Sequence, residues 1–245
     1  NLVGLAQHRH AQKMFRVDEE VRRPITDKTA DRLVKAATRA LKGADALCIE
    51  DYNKGVLQSA VCKRLIAAAG DAGVPVLVDP AAIDDYAKYA GATCITPNRT
   101  EASRATGIEP DGDQQVHEMA RKLKRSLKLD AVVLTLDKHG ALLLEGRRQP
   151  MMLPTRARQV YDVTGAGDVV LSMLAAARAT GADWPQAVQL ANFAAGLEVE
   201  RFGVEPIALD EVMLAVLEER RRAVGKVRTV DQLLPELRAH RSRGR

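Results

Sequence analysis

One rhythm in this chain excludes most folds. Between residues 26 and 137, segments with apolar residues at helical spacing alternate with short β-rich apolar runs, and strands separated by helices pair in parallel. Residues 26–42 place Ala30, Leu33, Val34, Ala37 and Leu41 on one helical face and stop at Gly43. A buried strand is expected over 46–49, ending at Glu50 and Asp51, then a helix over 59–72 that Gly73 and Pro75 terminate. Strands over 76–78 and 93–96 end at Asp79-Pro80 and Pro97-Asn98. Residues 113–127 form a strongly amphipathic helix, with Val116, Met119, Ala120 and Leu123 together, before a strand over 131–136. Open parallel sheets bind ligands at the carboxyl ends of their strands. Asp51, Asp79, Asn98 and Asp137 therefore mark where chemistry is expected.

From Gly140 the pattern changes. Residues 140–146 and 149–155, joined by Arg147-Arg148, predict an antiparallel ribbon on the sheet edge. Helices follow over 166–180, 184–201 and 209–222, then a linker over 225–229, one more helix over 230–239 and a polar end over 240–245. At the other end, the alternating stretch 13–17 needs a strand partner, and no obvious one precedes it, so the chain reads as beginning in mid-fold. The expected fold class is α/β, a mostly parallel sheet flanked by helices.

Composition narrows the function. With 46% hydrophobic residues in 245, there is apolar material for one large core or two small ones. Thirty-seven basic against 32 acidic residues leave a net charge of +5, too modest to demand a nucleic-acid partner. Three Phe, four Tyr and one Trp are too few for a base-stacking surface. The arginines at 238, 241, 243 and 245 read as a solvated connector, so no nucleic-acid contact is expected there. Cys48, Cys62 and Cys94 are an odd number at irregular spacing in apolar runs, and read as reduced core residues of a cytoplasmic protein. No apolar stretch approaches a membrane span and no secretory signal pattern opens the chain, so no membrane partner is expected.

The segment Asp162-Val163-Thr164-Gly165-Ala166-Gly167-Asp168 lies between the ribbon and a helix rich in Ala and Leu. Small residues before a helix let backbone amides approach an anion, and the helix dipole adds attraction. Phosphoryl transfer needs such positioning plus one group to accept the proton of the attacking hydroxyl, and Asp168 in the first turn can be that base. The plain alternative is a tight turn at Gly165 to Gly167 with Asp168 as a helix cap. No Lys-Ser or Lys-Thr follows the glycines, so the Walker pattern is absent.

Residues 160–168 resemble the signature of the ribokinase-like (PfkB) carbohydrate kinases, and Asn98-Arg99-Thr100-Glu101 is similar to that family's Asn-x-x-Glu motif. The resemblance implies a ribokinase-like sheet, with Asp168 as catalytic base and the Gly165, Ala166 and Gly167 amides as anion hole. It also implies that Glu101 and Asn98 organise Mg²⁺ around the phosphates of ATP; a single carboxylate acting through water suits that ion. Residues 135–140 resemble the strand-to-turn segment beneath the nucleotide, and Asn192 the position beside the adenine, which would assign Thr135, Asp137, Lys138, Gly140 and Asn192 to nucleotide binding. The bland readings are a solvated turn cation for Lys138, a helix-surface amide for Asn192 and a first-turn acid for Glu101. In some relatives a monovalent cation lies under the anion hole, and Asp162 would be its natural ligand here.

Residues 50–57, 78–80 and 91–98, with 12–20, look like the heptose 7-phosphate kinase branch of the family. That branch phosphorylates the anomeric hydroxyl of D-glycero-D-manno-heptose 7-phosphate, giving the 1,7-bisphosphate on the route to ADP-heptose and lipopolysaccharide. Arg16 and Lys54 suit a substrate already carrying phosphate, and Asp18 a sugar hydroxyl; the bland reading of both cations is surface charge. Val169 stands where many family members carry Thr or Ser. The resemblance further implies a homo-oligomer, a dimer, with residues 1–224 forming the kinase domain and 225–245 a connector and basic tail. Family members begin with a sugar-binding strand and lid, so the expectation is a chain that keeps nucleotide contacts and turns over heptose phosphate poorly or not at all. Another sugar, a sugar phosphate or a nucleoside as acceptor, or nucleotide binding without chemistry, stays open.

Overall fold

The structure, a computed structural model, describes residues 2–4, 12–15, 17–155, 165–201 and 206–226. The chain falls into two compact units, residues 1–206 and 207–245.

In the first unit, β1 (Leu2–Gly4) and β2 (Gln12–Phe15) form an antiparallel pair. This corrects the expectation that the stretch near residue 13 has no preceding partner: Leu2 faces Phe15 and Gly4 faces Gln12. The short β1 carries too little alternation to announce itself in the sequence.

The main sheet has six strands, β3 (Leu47–Glu50), β4 (Val76–Asp79), β5 (Cys94–Ile95), β6 (Ala131–Thr135), β7 (Ala141–Glu145) and β8 (Met151–Leu153), adjacent in chain order. The first four run parallel, and β7 and β8 add antiparallel as the Arg147-Arg148 ribbon predicted. Gly140 makes the turn into β7 at φ +92, and a Cβ there would lie 2.2 Å from the Leu153 carbonyl oxygen. Only glycine combines that backbone with that approach.

Successive strand residues point to opposite faces, so the sheet serves two cores. Val132 and Leu134 join Val78 and Ile95 under α1 (Asp27–Ala40), α2 (Ser59–Asp71), α3 (Arg99–Thr106) and α4 (Asp113–Leu127). Ala131 and Val133 join Leu77 and Cys94 under α5 (Ala166–Ala179) and α6 (Trp184–Val199). The amphipathic patterns orient these helices: α4 buries Val116, Met119, Ala120, Leu123 and Leu127, the face the sequence assigned to the core. Local signals set the starts. Thr26 caps α1 through the Thr29 amide, and Asp183 and Gln186 form a reciprocal capping box on α6.

Cys48 corrects the reading of three core cysteines: Cys62 and Cys94 are buried, but Cys48 is exposed. It shares the register of buried Leu77 yet stands on β3 at the end of the strand order, where neighbouring side chains cover it from one side only.

In the second unit, α7 (Leu209–Lys226) runs through Gly225, so the expected linker over 225–229 begins with two helical residues. The expected helix over 230–239 lies outside the described residues. Among the described residues, no helix is long and apolar enough to cross a membrane.

Candidate active site

Register brings the polar strand ends together. Glu50 of β3 is the partner of Asp79 on β4, and Asn98, just past β5, bridges Thr135 at the end of β6. The ends of β4, β5 and β6 open into a cleft of about 820 Å³, which the start of α5 and the middle of α6 also line. Asn98, Glu101, Thr135, Asp137, Lys138, Gly140, Ala166, Gly167 and Asn192 all line it, so residues spread over almost a hundred positions converge on one cavity.

At the acidic end, Asn98 and Glu101 cap α3 reciprocally. Asn98 Oδ1 accepts from the Glu101 amide at 2.9 Å, and Glu101 Oε2 accepts from the Asn98 amide at 2.9 Å. This fixes the Glu101 side chain and leaves Oε1 outside the capping box. Burial raises the Glu101 carboxyl above the usual range, while the Asn98 contacts oppose the rise. Asp79 is pushed up to about 7, first by burial and then by Glu101, Asp168 and Glu50; a hydrogen bond from Thr96 Oγ1 at 3.1 Å acts against this. Burial, then Asp168, raises Glu50. Carboxyls crowded and buried in this way hold their protons more readily than isolated ones.

The rest of the lining has a different character. Val170, Ala195, Gly196 and Val199 give small or apolar walls, with Asp137, Lys138, His139 and Asn192 at the polar edge. Asn192 Nδ2 donates to the Leu153 carbonyl at 2.8 Å, tying α6 to β8. Asn192 is thus a half-buried cleft residue rather than a bare surface amide. Asp137 adopts φ +53 and pairs with Arg99 at 3.8 Å, linking the turn after β6 to the start of α3. A slot with apolar walls and hydrogen-bonding edges suits a flat heterocycle.

The N-cap of α5 is Gly165, which has no side chain to cap the first-turn amides, and Ala166 and Gly167 after it line the cleft. Those N–H groups and the helix dipole are suited to phosphate oxygens. Asp168, in the same turn, is half-exposed and accepts the Tyr52 hydroxyl on both carboxylate oxygens, at 2.7 and 2.8 Å. Tyr52 is 60% exposed, and Lys54 Nζ lies 5.9 Å from its ring centroid while pairing with Glu20 at 2.6 Å.

Lys54 is therefore placed beside Tyr52, the partner of Asp168, though its charge is shared with Glu20. Asp18 is exposed on the segment before α1 and is not among the cleft-lining residues. Arg16 and Asp162 lie outside the described residues. The sequence did not single out Tyr52, Thr96, Arg99 or His139. A Tyr immediately after a strand-ending Asp was the available signal for the first, and His139 sits inside a turn already marked by its neighbours.

The comparisons with known proteins agree with this architecture. Residues 6–210 match the pfkB family carbohydrate kinase profile. The chain is 36% identical to the bifunctional protein HldE of Trichlorobacter lovleyi over 96% of its own length and 48% of that protein's. It is 42% identical to the bifunctional protein HldE of Paramagnetospirillum magneticum over 85% of this chain and 42% of the relative. The chain thus spans about half the length of these curated relatives. Among solved structures, the Arabidopsis thaliana ribokinase complexed with ribose and ATP superposes with a TM-score of 0.65 at 23% identity, over 80% of this chain and 61% of the other. Phosphofructokinase-2 from Escherichia coli in complex with potassium gives 0.70 at 18% identity, over 80% and 63%. The fold is ribokinase-like, a mostly parallel sheet between helical layers. The chain belongs to the pfkB family of carbohydrate kinases.

Proposed function

We propose that this chain carries the nucleotide-binding and catalytic part of an ATP-dependent kinase that phosphorylates the anomeric hydroxyl of D-glycero-D-manno-heptose 7-phosphate. The observation that carries the reading is the convergence, in one cleft, of Ala166 and Gly167 at the start of α5 and the Asn98-Glu101 pair, with Asp168 in the first turn of the same helix. The likeness of residues 50–57 and 91–98 to heptose 7-phosphate kinases, and the HldE relatives, favour this acceptor over another sugar.

Asp168 takes the proton of the acceptor hydroxyl as that oxygen bonds to the γ-phosphorus and ADP departs. The amides at Gly165, Ala166 and Gly167 face the charge that develops on the transferring group. Thr135, Asp137, Lys138, Gly140 and Asn192 hold the nucleoside end. Mg²⁺ fits Glu101 by the chemistry of the donors: a hard carboxylate oxygen outside the capping box, in a cleft with room for water and phosphate ligands. Glu101 would hold the ion, which would offset phosphate charge there, and the Asn98 capping box fixes the Glu101 carboxylate in place. Lys54, exchanging Glu20 for the acceptor's phosphate, gives the sugar-phosphate end a cation.

The test is turnover of ATP with the heptose 7-phosphate at high protein concentration, with the product's new phosphate located by ³¹P NMR. Transfer to the anomeric oxygen, reduced about a hundredfold or more in Asp168→Asn while ADP affinity is kept, supports the reading. Equal turnover in Asp168→Asn, or nucleotide binding that ignores Asn192→Leu and Gly167→Ala alike, overturns it.

A further inference from the structure

We propose that Tyr52 is the positioning residue for Asp168: its hydroxyl holds the carboxylate in the orientation from which an acceptor hydroxyl can hand over its proton. The inference rests on the kinase reading above and adds to it a residue 116 positions away in sequence.

The contact is built from both sides. On the α5 side, the Ser172 hydroxyl donates to the Asp168 carbonyl at 2.8 Å, fixing the first turn. On the β3 side, the chain around Tyr52 is anchored. The Asp51 amide donates to the Asp79 carbonyl at 3.0 Å, and buried Asp51 accepts from the Asn53 amide at 2.8 Å, the Tyr89 hydroxyl at 2.7 Å and Lys88. A residue held on each flank by such bonds cannot follow Asp168 if that side chain swings.

The geometry at the carboxylate is specific. One hydroxyl proton is shared between two oxygens at 2.7 and 2.8 Å, which places the phenol near the bisector of the carboxylate and restrains its rotation. Because Tyr52 is 60% exposed, apolar burial does not account for this placement. The neighbouring charges push the other way: Glu50 from β3 and Asp79 from β4 both act on Asp168 and Tyr52, and repel a carboxylate that lacks a donor. Lys54, across the ring, is paired with Glu20. Although much of the residue is exposed, desolvation of the hydroxyl and then the Asp168 contact raise the Tyr52 phenol well above its ordinary range, so Tyr52 remains a donor and does not compete as base. During transfer the acceptor's proton goes to one Asp168 oxygen, the phenol proton stays on Tyr52, and its hydrogen bond settles on the other oxygen.

Two measurements on the full chain test this. In the first, Tyr52→Phe keeps the ring and removes the hydroxyl. Expected is a loss of about tenfold to a hundredfold in kcat with KM for ATP unchanged, and no additional loss when Tyr52→Phe is added to Asp168→Asn. An unchanged kcat, or losses that multiply in the double variant, overturns the proposal; an Asp168→Asn protein as active as the wild type sinks the kinase reading instead. The second needs no turnover. The three-bond couplings of the Asp168 β-protons report one χ1 rotamer in the wild type and averaged rotamers in Tyr52→Phe. A single rotamer retained in the variant, or averaging already present in the wild type, overturns the positioning role whatever the turnover assay gives.

Discussion

The carboxylate of Asp79 lies against the backbone of Gly167: a Cβ on that glycine would sit 3.1 Å from Asp79 Oδ2. The first turn of α5 and the acidic Asp79 carboxyl therefore meet with no side chain between them. Gly167→Ala puts a methyl group into that contact, and Asp79, held on its other oxygen by Thr96, must give way by a few tenths of an ångström. Alanine is better than glycine inside a helix by about 1 kcal/mol, which offsets the crowding. The expected result is a melting temperature near that of the wild type together with a loss of ADP affinity of roughly tenfold, about 1.4 kcal/mol. Calorimetric titration with ADP beside a thermal melt checks both.

The same carboxyl sets a pH dependence. Asp79 is raised to about 7 in the fold from an ordinary 3.8, chiefly by burial, so between these values the folded chain keeps a proton that the unfolded chain has lost. Stability from this group thus falls as pH rises from 4 to 7, and the penalty is complete above 7. At about 1.4 kcal/mol for each pH unit, the ionised form costs up to about 4 kcal/mol. Asp79→Asn removes the titration. Urea unfolding at pH 5 and pH 8 should give a smaller difference for Asp79→Asn than for the wild type; equal differences would show that Asp79 is not the group responsible.

Gly140→Ala is expected to be far more damaging than Gly167→Ala. The position combines φ +92 with a Cβ that would lie 2.2 Å from the Leu153 carbonyl oxygen and 2.5 Å from the Thr155 amide nitrogen. Both obstacles are backbone, so β8 must move away from the turn, and the Leu153 carbonyl that Asn192 binds moves with it. A destabilisation of at least about 2 kcal/mol follows from backbone strain alone. Denaturant midpoints measure it, and a change below about 0.5 kcal/mol would contradict the close approach.

Much of this architecture was legible because local chemistry and global fold agree. The apolar face of α4 needed only its own spacing to be identified, and the polar ends of β4, β5 and β6 lie on the side where the cleft opens, whereas Asp51 beyond β3 is buried against Lys88 and Tyr89 instead. The signature from Gly165 to Asp168 and the Asn98-Glu101 spacing are contiguous, so they are visible in one dimension. What escaped the sequence is relational. Tyr52 meets Asp168 across 116 positions, and the strand-ending Asp before Tyr52 marks its neighbourhood but not its partner. Cys48 was misplaced for a related reason: its apolar run is like those of β4 and β5, and only the strand order puts it where cover is lacking.

The anchor beneath Tyr52 supplies the last prediction. Asp51 is 3% and Lys88 12% exposed at the side chain, and they form an ion pair that the Tyr89 hydroxyl and the Leu57 carbonyl complete. Removing one partner of such a pair leaves the other charge desolvated, at a cost of about 3 kcal/mol. Lys88→Met should lower stability by that order and also free the loop from Asp51 to Leu57, so Tyr52 loses its fixed station. Adding Asp51→Asn to Lys88→Met removes the stranded carboxylate while keeping an acceptor for Tyr89, and should restore a large part of the lost stability. Chemical unfolding of the two single variants and the double variant measures the coupling. A Lys88→Met protein within about 0.5 kcal/mol of wild type would mean that water reaches the pair, and the rigid support assigned to Tyr52 would then have to come from the Asn53 amide and the Asp79 carbonyl alone.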